Sequence, residues 1–158
     1  MIRPITSTDI PACVRVIRES FRTVADEFGI TQENALRFTA FSVSEERLAW
    51  QLAQGRPMFA CLEEGEIVGY YSLDVRDDAC ELNNLCVLPA FRHRKWGESL
   101  LMHAISEAKK HGCRIMRLGY VYENERLRHW YEAYGFTFTG TQKFDFFPFT
   151  CGYMERPL

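Results

Sequence analysis

Residues 80–112, CELNNLCVLPAFRHRKWGESLLMHAISEAKKHG, contain the transition that decides the fold. Cys80 to Leu88 reads as an extended apolar run interrupted by Asn83-Asn84, and Pro89 stops it, because proline has no N–H for a ladder and biases its predecessor away from helix. From Gly97 onward Leu100, Leu101, Ala104, Ile105 and Ala108 recur at helical spacing, and Gly112 ends the helix. Between strand and helix lies the basic run Arg92-His93-Arg94-Lys95-Trp96-Gly97-Glu98. The first N–H groups of a helix lack partners and its dipole favours an anion there, so cations at this junction form a recipe for holding phosphate. Gly97 permits close backbone approach. A solvated basic face is the plain alternative, and the position at a strand-to-helix junction favours the phosphate reading. Neither G-K-[ST] nor G-x-G-x-x-G occurs, so the P-loop and dinucleotide fingerprints are excluded.

Working outward, residues 2–6 alternate like a short strand, and Thr8 or Asp9 can cap a helix with Pro11 in its first turn and Ile10, Val14, Ile17 and Phe21 on one face. Residues 22–43 give no clear period, and a second helix is expected near 44–54, ending at Gly55. Met58–Leu62 and Ile67–Val75, joined by Glu63-Glu64-Gly65-Glu66, read as a hairpin, and Asp77-Asp78 makes the next turn. Residues 113–122 read as a strand; Asn124 caps a helix with stripe Leu127, Trp130, Tyr131 and Tyr134, closed by Gly135. Two last strands are expected near 137–146 and 149–155, separated by Phe146-Phe147-Pro148. The order β, α, α, β, β, β, α, β, α, β, β implies a mixed α/β sheet, with a parallel crossover from residue 80 through the helix to residue 122.

Length and composition bound the rest. With 158 residues the chain is expected to form one domain, 1–158, and 47% apolar with 25% charged residues is a folded composition. A net charge of −2 supplies no global field for nucleic acid or anionic lipid, and no apolar run long enough to span a membrane occurs. The opening Met1–Thr6 lacks the apolar run of a signal peptide, and a cytoplasmic protein is expected. Six cysteines, Cys13, Cys61, Cys80, Cys86, Cys113 and Cys151, stand singly without metal-ligand spacing, so no metal is expected. His103 and His111 fall on the polar side or end of their helix, as surface residues would. The apolar final strands are suited to pairing two copies as a homodimer.

The segment Val87-Leu88-Pro89 followed by Arg92-His93-Arg94-Lys95-Trp96-Gly97 resembles the V-x-P and [RQ]-x-x-G-x-[GA] motif of the GNAT superfamily of acyl-CoA-dependent N-acyltransferases. Asn124-x-x-Leu127-x-x-x-Tyr131-x-x-x-Gly135-Phe136 is similar to a second segment of that family, and the element order matches across nearly the whole chain. The resemblance implies a mixed, mostly antiparallel sheet of six to seven strands flanked by about four helices. Lys95 stands where the family has its first glycine; a positive φ there costs about 1–2 kcal/mol, which a neighbouring pyrophosphate could offset.

The same resemblance implies acetyl-CoA as co-substrate, a small primary amine as acceptor, and direct attack in a ternary complex. Arg92, His93, Arg94, Lys95, Trp96, Gly97 and Glu98 would hold the pyrophosphate, and Asn124 would both cap its helix and contact coenzyme. Backbone groups of Cys86, Val87 and Leu88 would pair with pantetheine where the strand 80–88 splays from the strand 113–122. Asn83-Asn84 marks a bulge, a lined cavity or two edge-exposed amides. Tyr131, protonated at neutral pH, is the candidate acid for the departing thiolate, although it also lies on a packing stripe. Glu81, eleven residues before Arg92, is the candidate base, its plain alternative being a solvated strand-end charge. Cys86 as a covalent carrier is disfavoured, because no histidine neighbours it. The acceptor pocket is expected among Phe21, Phe28, Phe38, Phe41, Phe144, Phe146, Phe147 and Phe149, with Asp26, Glu27 and Asp145. A non-catalytic acyl-CoA-binding module and a peptide or protein N-acetyltransferase are the competing readings.

Overall fold

The computed structural model describes residues 1–158. The strands are β1 (Ile2–Pro4), β2 (Met58–Glu63), β3 (Glu66–Arg76), β4 (Ala79–Val87), β5 (Ile115–Val121), β6 (Thr137–Lys143) and β7 (Thr150–Pro157). They form one sheet in the order β1-β2-β3-β4-β5-β7-β6. Every neighbouring pair is antiparallel except β4 and β5. The helices are α1 (Ile10–Glu27), α2 (Thr39–Ser42), α3 (Glu45–Ala53), α4 (Trp96–Lys110) and α5 (Glu125–Ala133). Five helices stand where about four were expected, the extra one being the single turn α2 inside the stretch that gave no period.

Local chemistry explains most boundaries. Glu64 and Gly65 both take positive φ, 52° and 81°, the two-residue turn whose twist matches a hairpin. Ser44 caps α3 by accepting from the Arg47 N–H, and Asn124 caps α5 by accepting from the Leu127 N–H at 3.3 Å. Asp9 occupies the N-cap of α1, but its carboxylate is taken by the Thr6 N–H at 2.8 Å and by Arg3 at 2.7 Å. α1 runs on to Glu27, past the last residue of the expected stripe, because Ala25 stays buried on the same side. β6 ends at Lys143 rather than near 146: the Lys143 ammonium donates to the carbonyls of Phe144 and Phe147 and folds the following residues into an aromatic turn.

The main core packs α1 and α4 on the sheet through Val16, Ile17, Val68, Tyr70, Leu73, Leu100, Leu101 and Met116. A second, smaller core joins Ala25, Ile30, Ala35, Phe38, Ala40, Val121 and Phe149 at the open end of β5. His103 is not the surface residue expected. Its Nδ1 lies 2.7 Å from the Tyr71 hydroxyl and its ring meets Phe59 edge-on at 4.8 Å, so burial lowers its pKa.

β4 positions the site. It pairs with β5 only at Ala79–Ile115, Cys80–Met116 and Glu81–Arg117, although both strands continue. On its other edge Tyr70 pairs with Cys86 and Ser72 with Asn83, which leaves one extra residue in β4. Asn84, at φ 55°, makes this bulge, one of the alternatives expected for the Asn83-Asn84 pair. After Glu81, ahead of the bulge, β4 leaves β5 and a gap opens in the middle of the sheet. Close packing behind β4 depends on Gly69, where a Cβ would lie 2.9 Å from Leu100 Cδ1 and 3.0 Å from the Cys86 carbonyl. Gly69→Ala is therefore expected to lower stability by about 1–3 kcal/mol, read as a drop in urea midpoint at unchanged slope.

Candidate functional site

Two cavities meet at the gap. The larger, about 640 Å³, lies between α1, the loop before α4, and α5; its lining includes Cys86, Val87, Arg92, His93, Lys95, Gly97, Glu98, Asn124 and Tyr131. The smaller, about 270 Å³, lies against the aromatic turn and α2 and includes Arg37, Phe38, Glu81, Asn83, Asn84, Phe149 and Tyr153. Phe21, Val24, Leu85, Asn124, Leu127 and Tyr131 line both, so the two are continuous through the gap.

Along one side of the larger cavity runs a loop with unbonded amides, of which His93, Lys95, Gly97 and Glu98 line the cavity. The N–H groups of His93, Arg94 and Lys95 find no acceptor in the chain, and those of Trp96, Gly97 and Glu98 precede the first bond of α4, from the Ser99 N–H to the Lys95 carbonyl at 3.0 Å. His93 and Lys95 sit at φ 64° and 66°, the left-handed backbone found in loops whose N–H groups bind anions. Lys95 thus adopts a left-handed backbone that a glycine would take without cost. Gly97 lies against Trp130, where a Cβ would meet the ring at an ordinary 3.7 Å, so the absent side chain leaves room on the cavity side.

The basic residues divide sharply. Arg92 lines the cavity, and three of its five N–H donors are committed: Nε to the Val87 carbonyl at 3.0 Å, and the terminal nitrogens to Thr23 Oγ and the Ser20 carbonyl at 3.1 Å each. It clamps α1 to the loop. Arg94 pairs with Glu63 at 2.7 Å and the Trp96 indole donates to the same carboxylate, so both side chains are directed to the β2–β3 turn and neither lines the cavity. Leu88 is also outside it, its N–H donating to the Val68 carbonyl at 2.8 Å. Lys95 and His93 make no ion pair or side-chain hydrogen bond and remain available. At the mouth Arg126 and Glu27 pair at 2.6 Å across α5 and α1.

Tyr131 is buried at the junction of the cavities, and its hydroxyl makes no hydrogen bond within the chain. Burial, with the Cys86 thiol nearby, raises its pKa, which keeps the phenol protonated. The Cys86 thiol is itself pushed up to about 12 by burial, which leaves it unreactive at neutral pH. Glu81 is exposed to the smaller cavity and makes no ion pair or hydrogen bond; partial desolvation and then the Asp74 carboxylate, its partner in register on β3, raise its pKa.

Phe21, Phe38, Phe147 and Phe149 of the expected acceptor wall line the smaller cavity, and Phe28 and Phe41 pack behind them. Phe144 and Phe146 stack on each other at 5.0 Å outside it. Asp26 and Asp145 are exposed and line neither cavity, and Glu27 belongs to the larger one. Arg37, Tyr153 and the Thr23–Arg92 clamp were missed. Arg37 lies in the stretch without periodicity, and the others depend on contacts between residues distant in sequence.

Residues 22–136 match the model of the Acetyltransferase (GNAT) family. An uncharacterized N-acetyltransferase of the pepI 3′ region of Lactobacillus delbrueckii subsp. lactis is 26% identical over 144 residues, spanning 84% of this chain and 82% of that protein. The crystal structure of the PaiA N-acetyltransferase of Thermoplasma acidophilum, in complex with coenzyme A, superposes with a TM-score of 0.87 at 21% identity, covering 100% of this chain and 98% of that one. YncA of Salmonella typhimurium, solved with acetyl-CoA, gives 0.73 at 25% identity, covering 100% and 93%.

The left-handed backbone at Lys95 has a direct consequence for stability. Lys95→Gly is expected to stabilise the free protein by about 1 kcal/mol, seen as a higher denaturant midpoint.

Proposed function

The chain belongs to the GNAT family of acetyltransferases, and we propose that it transfers an acetyl group from acetyl-CoA to the primary amine of a small molecule, by direct attack in a ternary complex. The observation that carries this reading is the run of unbonded amides from His93 to Glu98, beside a cavity that continues through the β4–β5 gap to Tyr131 and Glu81.

The residues present fit the coenzyme. The amides of the loop, with Lys95 and His93, would hold the pyrophosphate, while Arg92, Arg94 and Trp96 hold the loop itself in shape through α1 and Glu63. The unpaired edge of β4 around Cys86 and Val87 offers main-chain groups to an extended ligand arm entering the gap. When bound, acetyl-CoA supplies a thioester carbonyl to be attacked. Tyr131 Oη, kept protonated by its burial, gives its proton to the departing sulfur, and the Glu81 carboxylate accepts one from the acceptor ammonium, directly or through water. The Asn124 amide, with its oxygen committed to the helix cap, has its nitrogen free toward the cavity. A peptide-sized acceptor fits less well, because the smaller cavity is walled by α2 and the aromatic turn.

A thermal-shift titration with acetyl-CoA should stabilise the protein by about 2.7 kcal/mol at 100 times Kd, and Lys95→Gly should weaken this binding despite its greater intrinsic stability. No shift with acetyl-CoA would refute the reading. Tyr131→Phe should lower kcat by about 10²–10⁴-fold with little change in coenzyme affinity, followed as free thiol released in an amine panel. Because the pKa of Glu81 is raised and its ionised form is the base, kcat/KM should climb with pH through a midpoint above the usual carboxylate value of about 4.3. Glu81→Gln removes that limb, and Asp74→Asn, by deleting the like charge, moves its midpoint down.

A further inference from the structure

The smaller cavity carries a charge pattern that its aromatic walls do not require. Of its lining residues only Arg37 and Glu81 are charged, one of each sign. Neither is committed elsewhere: Glu81 makes no ion pair or hydrogen bond, and Arg37 only lays its guanidinium over the Phe146 ring, 4.4 Å from the centroid. The two lie on different parts of the fold. Glu81 is on β4 at the last residue paired with β5. Arg37 is on the connection between α1 and α2, exposed at the rim, where stacking on Phe146 links that connection to the aromatic turn before β7. The same cavity wall carries neutral aromatic residues, Phe38, Phe147 and Phe149, with Phe38 edge-on to Phe149 at 5.6 Å.

An ammonium facing Glu81 leaves Arg37 without a counter-charge, and a neutral alkylamine leaves it so too. We propose that the acceptor is a primary amine bearing a carboxylate at the other end of an apolar or aromatic body, with its ammonium toward Glu81 and its carboxylate held by Arg37. This rests on the acetyl-transfer reading and adds the substrate class. A single cation and a single anion in the lining match a zwitterion with one monoanionic group, and the planar guanidinium, already oriented by Phe146, suits two parallel hydrogen bonds to a carboxylate. A dianionic phosphate would find only one positive charge.

The test uses matched pairs that differ only in the carboxylate: aminohexanoate against hexylamine, and para-(aminomethyl)benzoate against benzylamine, each with acetyl-CoA. With the wild-type protein kcat/KM should favour the amino-carboxylate by roughly tenfold or more in at least one pair. Arg37→Gln should bring that ratio to about one, and Arg37→Lys should retain part of it. Since Arg37 is exposed, both variants should fold, which circular dichroism checks. Equal or better turnover of the neutral partners by the wild type, or a preference that survives Arg37→Gln, overturns the proposal while leaving acetyl transfer standing. Calorimetry of the amino-carboxylates in the presence of coenzyme A separates the other case. Binding that depends on Arg37 without any turnover supports the recognition and refutes the transfer reading; the absence of such binding refutes the recognition.

Discussion

β4 cannot serve both neighbours along its whole length. It stays in register with β3 through the bulge at Asn84, and in doing so gives up β5 after Glu81. An unpaired strand edge inside a sheet is costly, because its N–H and C=O groups have lost their partners. Here the loss falls where a ligand can restore it. Both cavities, the position of Tyr131 between them and the exposure of Glu81 follow from this divergence, and the second core at the end of β5, built on Phe38, Val121 and Phe149, keeps the open end from collapsing.

Charge is distributed around the gap by the same economy. Cations that shape the site are consumed internally. Arg92 ties α1 to the loop through three acceptors, and Arg94 shares Glu63 with the Trp96 indole. Groups left free face the cavities: the loop amides, Lys95 and His93 on one side, Arg37 and Glu81 on the other. A group that holds structure must be satisfied in the free protein, whereas a group that binds must not be. Partner status therefore separates the two roles within a run that reads as uniformly basic.

The strained backbone of the loop fits this division. His93 and Lys95 adopt left-handed conformations, unfavourable for residues with a Cβ, and the surrounding contacts hold them there. The loop backbone is set in this conformation before any ligand arrives, so its ordering cost is borne during folding.

The strand–loop–helix unit from Cys80 to Gly112, the hairpin at Glu64-Gly65, the cap at Asn124 and the spacing of Tyr131 were legible in the chain because each rests on local rules: periodicity, proline and glycine punctuation, and side-chain capping over a few residues. Other features had no local signature. That Arg92 would be bonded to Ser20 and Thr23, that Arg94 and Trp96 would turn to Glu63, that His103 would be half-buried against Tyr71, and that Arg37 would line the same cavity as Glu81 all depend on residues 30 or more positions apart. Sequence order determined which elements form and where the basic strand-to-helix junction falls, since helix ends and strand ends are written in neighbouring residues. Only tertiary packing decided which charges stay free to meet a ligand, since a side chain's partner is chosen by the segment that folds against it.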